Sequence, residues 1–448
     1  MSTELRDRAQ RTADEVRTRL SDPADVVARC GVPGGTEADL RLLEPLWDDL
    51  SLAGGYPGAA LLWSSPGTRV PVAPGRVHAF LSAGSVQLSR PGAASAVRPQ
   101  GLYAGVGAMA FAALSAHQAG LGYEKAVGRL DELVRAQVRH VVRGCEEEHF
   151  ARPADFDLTR GLSGTGRLLL ARGEDFEEDL RLVLRTLVRR TEPIDHAGTS
   201  VPGLWALGGP RPGPPVDAYR GGHLNLGLAH GIAGPLALLS LSHRHGVVVQ
   251  GHEEAIERLV DVLLAFAKED AHGVYWPRLL TLDDWRRGAA REDRSRPSWC
   301  YGVPGVTRAL QLAALALGRP SWQALAHDSL LSLLTLPLDE FGIADAALCH
   351  GWAGMLHLLR VCNSDLGDLR LSRFEDQLAE KALDSFDPEF AFGFRTALLN
   401  APRGADKPGY LDGACGIVLA LESYAAGDAA IRGVGGAPAN WDAALLIS

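Results

Sequence analysis

Two cysteines and two histidines stand where chemistry is easiest to assemble. Cys300 lies in Ser298-Trp299-Cys300-Tyr301-Gly302-Val303-Pro304-Gly305, and Cys349 with His350 in Leu348-Cys349-His350-Gly351-Trp352-Ala353-Gly354. Two thiolates and an imidazole form a zinc donor set, and three protein ligands leave the fourth tetrahedral position to a substrate. Neither cysteine opens a Cys-x-x-Cys pair, so the spacing does not describe a zinc finger. The fold has to bring the two segments together. His230 stands directly before a third such stretch, Gly231-Ile232-Ala233-Gly234. Taken alone, each of these residues has a plainer reading, since cysteine is often a small buried hydrophobe and a histidine can sit satisfied in a core. Their shared position ahead of a Gly-x-x-Gly unit argues for the chemical reading.

That unit recurs through the chain. Besides the three above, it is found as Gly55-Tyr56-Pro57-Gly58, Ala104-Gly105-Val106-Gly107, Gly161-Leu162-Ser163-Gly164 and Gly413-Ala414-Cys415-Gly416, with last glycines spaced 49 to 71 residues apart. A period of that length has room for two helices and their connections. After each unit comes an apolar run, such as Leu236 to Leu241 or Met355 to Val361, which reads as a buried helix entered through a glycine turn. Between the runs, Leu130 to Val142, Phe176 to Val188, Ile256 to Phe266, Leu325 to Leu334 and Phe374 to Leu383 space apolar residues three and four apart, the pattern of half-exposed helices. Seven alternations of this kind predict an all-α fold, an α/α toroid of about seven inner and seven outer helices with its glycine turns gathered at one end.

Three regions depart from the repeat. Residues 1–50 read as a charged, helical N-terminal extension, and residues 426–448 as a C-terminal tail around a toroid domain at 51–425. The stretch Arg69 to Leu88 reads as a loop or short hairpin. Residues 192–222, with Pro202, Pro210, Pro212, Pro214 and Pro215, disfavour helix and predict an irregular or strand-containing insertion that is either a surface excursion or an aid to peptide binding.

Composition narrows the class. The chain has 448 residues, 46% of them hydrophobic, enough for a large core. Its first residues carry charges of both signs and lack the apolar centre of a signal peptide, and no apolar run is long enough to span a membrane. Six scattered cysteines do not make a disulfide framework, which points to a cytoplasmic protein with Cys30, Cys145, Cys362 and Cys415 structural. A formal charge of -9 argues against a nucleic-acid partner.

The stretches Asn225 to Pro235, Trp299 to Gly305 and Cys349 to Gly354 resemble the three signature motifs of the lanthionine synthetase C-like cyclases. With the remaining glycine units, the resemblance covers residues 51–423. It implies an α/α toroid with one zinc ion held by Cys300, Cys349 and His350. It also implies closure of lanthionine or methyllanthionine rings, by addition of a substrate cysteine thiol to dehydroalanine or dehydrobutyrine. The implied partners are a dehydrated precursor peptide with its leader segment, a separate dehydratase and a transporter complex, because no kinase-like or dehydratase region precedes the toroid.

The same resemblance brings in Asp157 and Arg296, four residues before Gly161 and Cys300, and Tyr301. It implies His230 as general acid/base, Asp157 as its orienting or proton-accepting partner, and Arg296 or Tyr301 as stabiliser of the enolate. Each has a structural alternative: Asp157 caps a helix, Arg296 makes a surface ion pair, Tyr301 packs beside the metal. Thr159-Arg160 places a positive charge near Asp157, and Ala104 replaces one glycine. Two other functions share these motifs: addition of glutathione or another small thiol to dehydrated residues, and a peptide-docking scaffold.

Overall fold

The computed structural model describes residues 3–33, 45–65, 72–93, 101–210, 216–399, 401–427 and 439–448. Among these, a helix follows every glycine unit: Tyr56–Ser64, Gly105–Gln118, Leu162–Arg172, Ala233–Arg244, Val303–Leu317, Trp352–Leu366 and Ala414–Ala426. These inner helices are buried along most of their length. Their companions show one buried stripe instead. In Leu369–Asp384, for instance, Leu371, Phe374, Leu378 and Leu383 are covered while Arg370, Arg373, Glu380 and Asp384 are exposed.

Two compact units divide the chain. One comprises Met1–Ser95, Tyr103–Leu133 and Gly342–Trp441, and the other Ala96–Leu102, Val134–Phe341 and Asp442–Ser448. In the first, Trp352–Leu366 packs on Ala414–Ala426, which packs on Tyr56–Ser64, which packs on Gly105–Gln118. In the second, Leu162–Arg172, Ala233–Arg244 and Val303–Leu317 pack side by side in that order. Outer helices cover them: Glu177–Thr191, His252–Ala265 and Pro320–Ser332 lie on the three inner helices of the second unit.

The glycine units do a specific job. A Cβ on the second glycine would overlap the carbonyl oxygen of the residue six positions earlier at Gly58, Gly164, Gly305, Gly354 and Gly416. The entering loop therefore folds back over the first turn of its own helix, at a separation only glycine permits. Backbone hydrogen bonds then run from loop to loop. In the second unit Leu158 donates to Ala229 and Leu228 to Cys300; in the first, Cys349 donates to Leu411, Leu411 to Ala53 and Leu52 to Tyr103.

The expected loop or hairpin at Arg69 to Leu88 is corrected: Pro74–Leu88 is a helix, the outer partner of Tyr56–Ser64. Pro74 starts it without losing a needed donor, and Val77, Phe80, Leu81 and Gly84 form the buried stripe at helical spacing. Residues 69–71 lie outside the described residues. The insertion contains a hairpin, Pro193–His196 with Thr199–Pro202, and strand His223–Asn225 pairs with Leu279–Thr281. Its residues 211–215 lie outside the described residues.

Two chain ends carry more structure than their composition suggests. Helix Thr3–Arg19 packs on Ala414–Ala426, where Arg17 makes a bidentate contact with Glu422 at 2.8 and 2.6 Å and donates to the Leu62 carbonyl at 2.7 Å. Burial raises the Glu422 carboxyl above its ordinary range, and Arg17 works against that shift. Within the second unit, Leu445, Leu446 and Ile447 are buried; the Leu445 carbonyl accepts from the Trp299 indole at 2.9 Å, and Arg308 donates to the Ile447 carbonyl at 2.7 Å.

Arg17→Met should destabilise the protein by about 3–5 kcal/mol in chemical denaturation, because it strands a buried carboxylate. Pairing it with Glu422→Met should recover most of the loss. Gly354→Ala should cost about 1–3 kcal/mol by driving the loop off its helix, with no change in the outer helices by circular dichroism.

Candidate active site

Small polar side chains shape the loops before any reactive group is placed. Ser51, Asp157, Asn225, Ser298 and Asp345 each accept from a backbone N–H two to four residues on, the local closure that such residues favour. Ser298 accepts from Tyr301 N at 3.0 Å, donates to Tyr301 O at 2.8 Å and lies 3.5 Å from the Cys300 sulfur. Asp345 holds Ala347 N at 3.0 Å and Ala397 N at 2.9 Å, which ties the Thr396–Leu398 strand to the loop carrying Cys349.

The ligand atoms of Cys300, Cys349 and His350 all lie within 4.8 Å of one another, and all three residues are half-buried. This grouping could hold a metal ion. None of the six cysteines forms a disulfide; burial pushes the Cys145 thiol up to about 11 and the Cys415 thiol up to about 12, so neither offers a thiolate.

His230 and Asp157 meet directly. The Nδ1 of His230 is 2.8 Å from the Asp157 carboxylate, whose side chain is 2% exposed while that of His230 is 45% exposed. The same oxygen, Oδ2, receives the Thr159 hydroxyl at 3.2 Å, and the other, Oδ1, receives Arg160 N at 2.6 Å and Gly161 N at 2.9 Å. Asp157 is thus not the N-cap of Leu162–Arg172, which is Gly161 with no side-chain cap; one of its oxygens closes the turn ahead of that helix and the other meets a histidine. Burial opposes the charged imidazole of His230. The Asp157 hydrogen bond and charge, helped by the nearby Cys300, outweigh that and the repulsion of Arg160, so its pKa is raised.

Tyr301 and Arg296 fare differently. The Tyr301 hydroxyl accepts from the Asn225 amide at 2.9 Å, and its ring lies against Gly227, where a Cβ would collide with it. Arg296 is exposed, and among the described residues its side chain has no hydrogen-bond or ion-pair partner. Neither an enolate-facing role nor the alternative surface ion pair is marked by a contact.

The repeat register also picks out residues that motif reading passed over. The residue immediately before the first position of each unit is Gly54, Tyr103, Arg160, His230, Tyr301, His350 and Asp412. One place further back are Thr159, Cys300 and Cys349, with Ala53, Leu102, Ala229 and Leu411. Tyr103 is buried and its phenol raised well above the ordinary value, by burial first and then by Cys349 and Asp412. Aligning the seven loops on their glycines was the signal for Tyr103, Thr159 and Asp412; proximity to a known motif was not.

The family described as lanthionine synthetase C-like protein matches residues 46–434. The nisin biosynthesis protein NisC of Lactococcus lactis subsp. lactis is 25% identical over 325 residues, which cover 72% of this chain and 73% of that protein. The solved structure of a nisin cyclase superposes with a TM-score of 0.71 at 21% identity, covering 92% of this chain and 95% of that one. At that identity the likeness shows the fold, and the class expected from the glycine repeats, an all-α α/α toroid, is the one found. No helix among the described residues is long and apolar enough to cross a membrane.

The His230 imidazole should titrate above its ordinary value of 6.5. Because this pKa is raised on folding, protonation stabilises the native state below the unfolded pKa, and that contribution disappears as pH rises through the folded one. Asp157→Asn removes the main raising cause while burial and Arg160 persist, so the midpoint should move down in an NMR titration of the ring.

Proposed function

The chain belongs to the lanthionine synthetase C-like family, and from that premise we propose that it closes thioether rings in a dehydrated ribosomal peptide. A substrate cysteine thiol adds to the β-carbon of dehydroalanine or dehydrobutyrine, giving lanthionine or methyllanthionine. The observation that carries this reading is the gathering of two thiols and an imidazole within 4.8 Å, all on the two residues before a glycine unit, where His230 also stands.

The donor set suits zinc. Cys300, Cys349 and His350 would hold it, and their partial exposure leaves the open side that a catalytic rather than a structural site requires. The chemistry a zinc ion supplies there is acidification of the incoming cysteine thiol, which is otherwise only a few per cent ionised near neutrality.

The chain's own residues move the proton and hold the charge. An ionised Asp157 can only accept, so the His230 proton at Nδ1 points to it and Nε2 keeps its lone pair. Nε2 takes the thiol proton as sulfur attacks. The new C–S bond forms at the β-carbon, the alkene electrons pass through the α-carbon onto the carbonyl oxygen, and His230 returns its proton to the α-carbon. Asp157 already receives four donors, so it orients the ring instead of taking the proton itself. Tyr301 is the better enolate donor of the two candidates: its oxygen accepts from Asn225, which favours donation of its own proton toward a developing anion. Arg296 has no comparable anchor.

The test is mass spectrometry with thiol alkylation after incubation with a dehydrated precursor carrying its leader. Ring closure adds no mass but removes alkylatable thiols. Cys300→Ala and Cys349→Ala should each lose bound metal by elemental analysis as well as ring formation, whereas His230→Gln should keep its metal and close rings about 10²–10⁴-fold more slowly. Thiols that remain fully alkylatable with the wild-type, metal-loaded protein would refute the reading.

A further inference from the structure

Thr159 has no place in the reaction as set out above, yet its hydroxyl lies inside the His230–Asp157 contact. Three atoms form a closed triangle. His230 Nδ1 is 2.8 Å from Asp157 Oδ2, Thr159 Oγ1 is 3.2 Å from the same oxygen, and Thr159 Oγ1 is 3.3 Å from His230 Nδ1. By register, Thr159 also stands where Cys300 and Cys349 stand in their own loops, two residues before the first glycine.

The proton count fixes what the hydroxyl does. Asp157 is 2% exposed and accepts only, so the single proton on Nδ1 goes to the shorter contact, its Oδ2. The Thr159 proton then has the same oxygen as its acceptor, and the hydroxyl lone pair faces the Nδ1–H edge. Oδ2 thus holds two donors, while Oδ1 holds the Arg160 and Gly161 amides. With every acceptor direction of the carboxylate filled, its plane is pinned from both sides. The imidazole, nearly half exposed and hence otherwise free to swing, inherits that plane.

We propose that Thr159 is a positioning residue for the ring-closing reaction: its hydroxyl completes a Thr159–Asp157–His230 triad that holds the imidazole in one tautomer and one orientation, with Nε2 toward the substrate. This rests on the cyclase reading for its consequence in turnover, but not for the tautomer itself. The hydroxyl touches neither substrate nor any metal ligand in this scheme. Its effect passes entirely through the histidine.

The experiment compares Thr159→Val, which keeps the shape and removes the hydroxyl, with Thr159→Ser, which restores it. Thr159→Val should lower kcat for ring closure roughly three- to tenfold, the worth of one hydrogen bond, with KM and metal content unchanged. Thr159→Ser should recover the wild-type rate. In protein with 15N-labelled histidine, at a pH where the ring is neutral, wild-type His230 should show one protonated Nδ1 and one bare Nε2. In Thr159→Val the two signals should move toward each other as the tautomers mix.

A Thr159→Val protein with wild-type kcat and an unmixed tautomer would overturn the proposal. So would a loss of metal in that variant, or failure of Thr159→Ser to rescue, since either would assign Thr159 to the loop's structure. If the wild-type protein closes no ring at all, the cyclase reading fails, and the nitrogen signals alone still decide whether Thr159 sets the tautomer.

Discussion

Close approach between a loop carbonyl and the first turn of the helix that follows it is the constraint on which the rest of this structure depends. At Gly354 the Leu348 carbonyl occupies the space a side chain would need, and Gly58, Gly164, Gly305 and Gly416 repeat the arrangement. The residues that follow that carbonyl include the candidate ligands, Cys349 and His350 after Leu348 and Cys300 after Trp299. The hydrogen bonds from Leu158 to Ala229 and from Leu228 to Cys300 then set neighbouring loops in register. Reactive side chains are thus placed by backbone geometry, before any contact between them contributes energy.

This division of labour lets the site be polar without weakening the core. Apolar burial is carried by helices such as Val303–Leu317 and Ala414–Ala426, whose exposed surface is small. Charges that do enter the interior are given partners, Arg17 an opposite charge in Glu422 and Arg308 the Ile447 carbonyl, because an isolated buried charge costs more than a single domain can spare. At the loops the opposite holds. The Asp157 side chain is nearly inaccessible, yet it is surrounded by two backbone amides, a hydroxyl and an imidazole, which replace the water it has lost. A carboxylate whose oxygens are so fully engaged is a good anchor.

Much of the fold was legible because glycine spacing and apolar runs are one-dimensional signals of the same contact. Every glycine unit is followed by a helix, including the one that begins at Ala104. Pro74–Leu88 escaped because its polar residues alternate well enough to imitate a strand, and only the buried set Val77, Phe80, Leu81 and Gly84 betrays the helical period. Candidate ligands were legible as residue types before glycines. The pairing of Asp157 with His230 was named only through the family resemblance, since a turn-closing aspartate and an orienting aspartate are the same letter, and the distance to a histidine 73 residues away is what distinguishes them.

The register suggests how such a site can change its chemistry while keeping its scaffold. The two residues before each glycine unit vary in type, from alanine at 229 to cysteine at 300 and 349 and threonine at 159. Substitution at either position leaves the glycine contact and the loop-to-loop hydrogen bonds untouched, because both use backbone atoms. Stability and reactivity are then set by different atoms of the same residues: Cys300 holds its neighbour through its carbonyl and offers its sulfur to chemistry. In such a protein, cysteine at 300 can be lost at little structural cost, whereas glycine at 305 cannot.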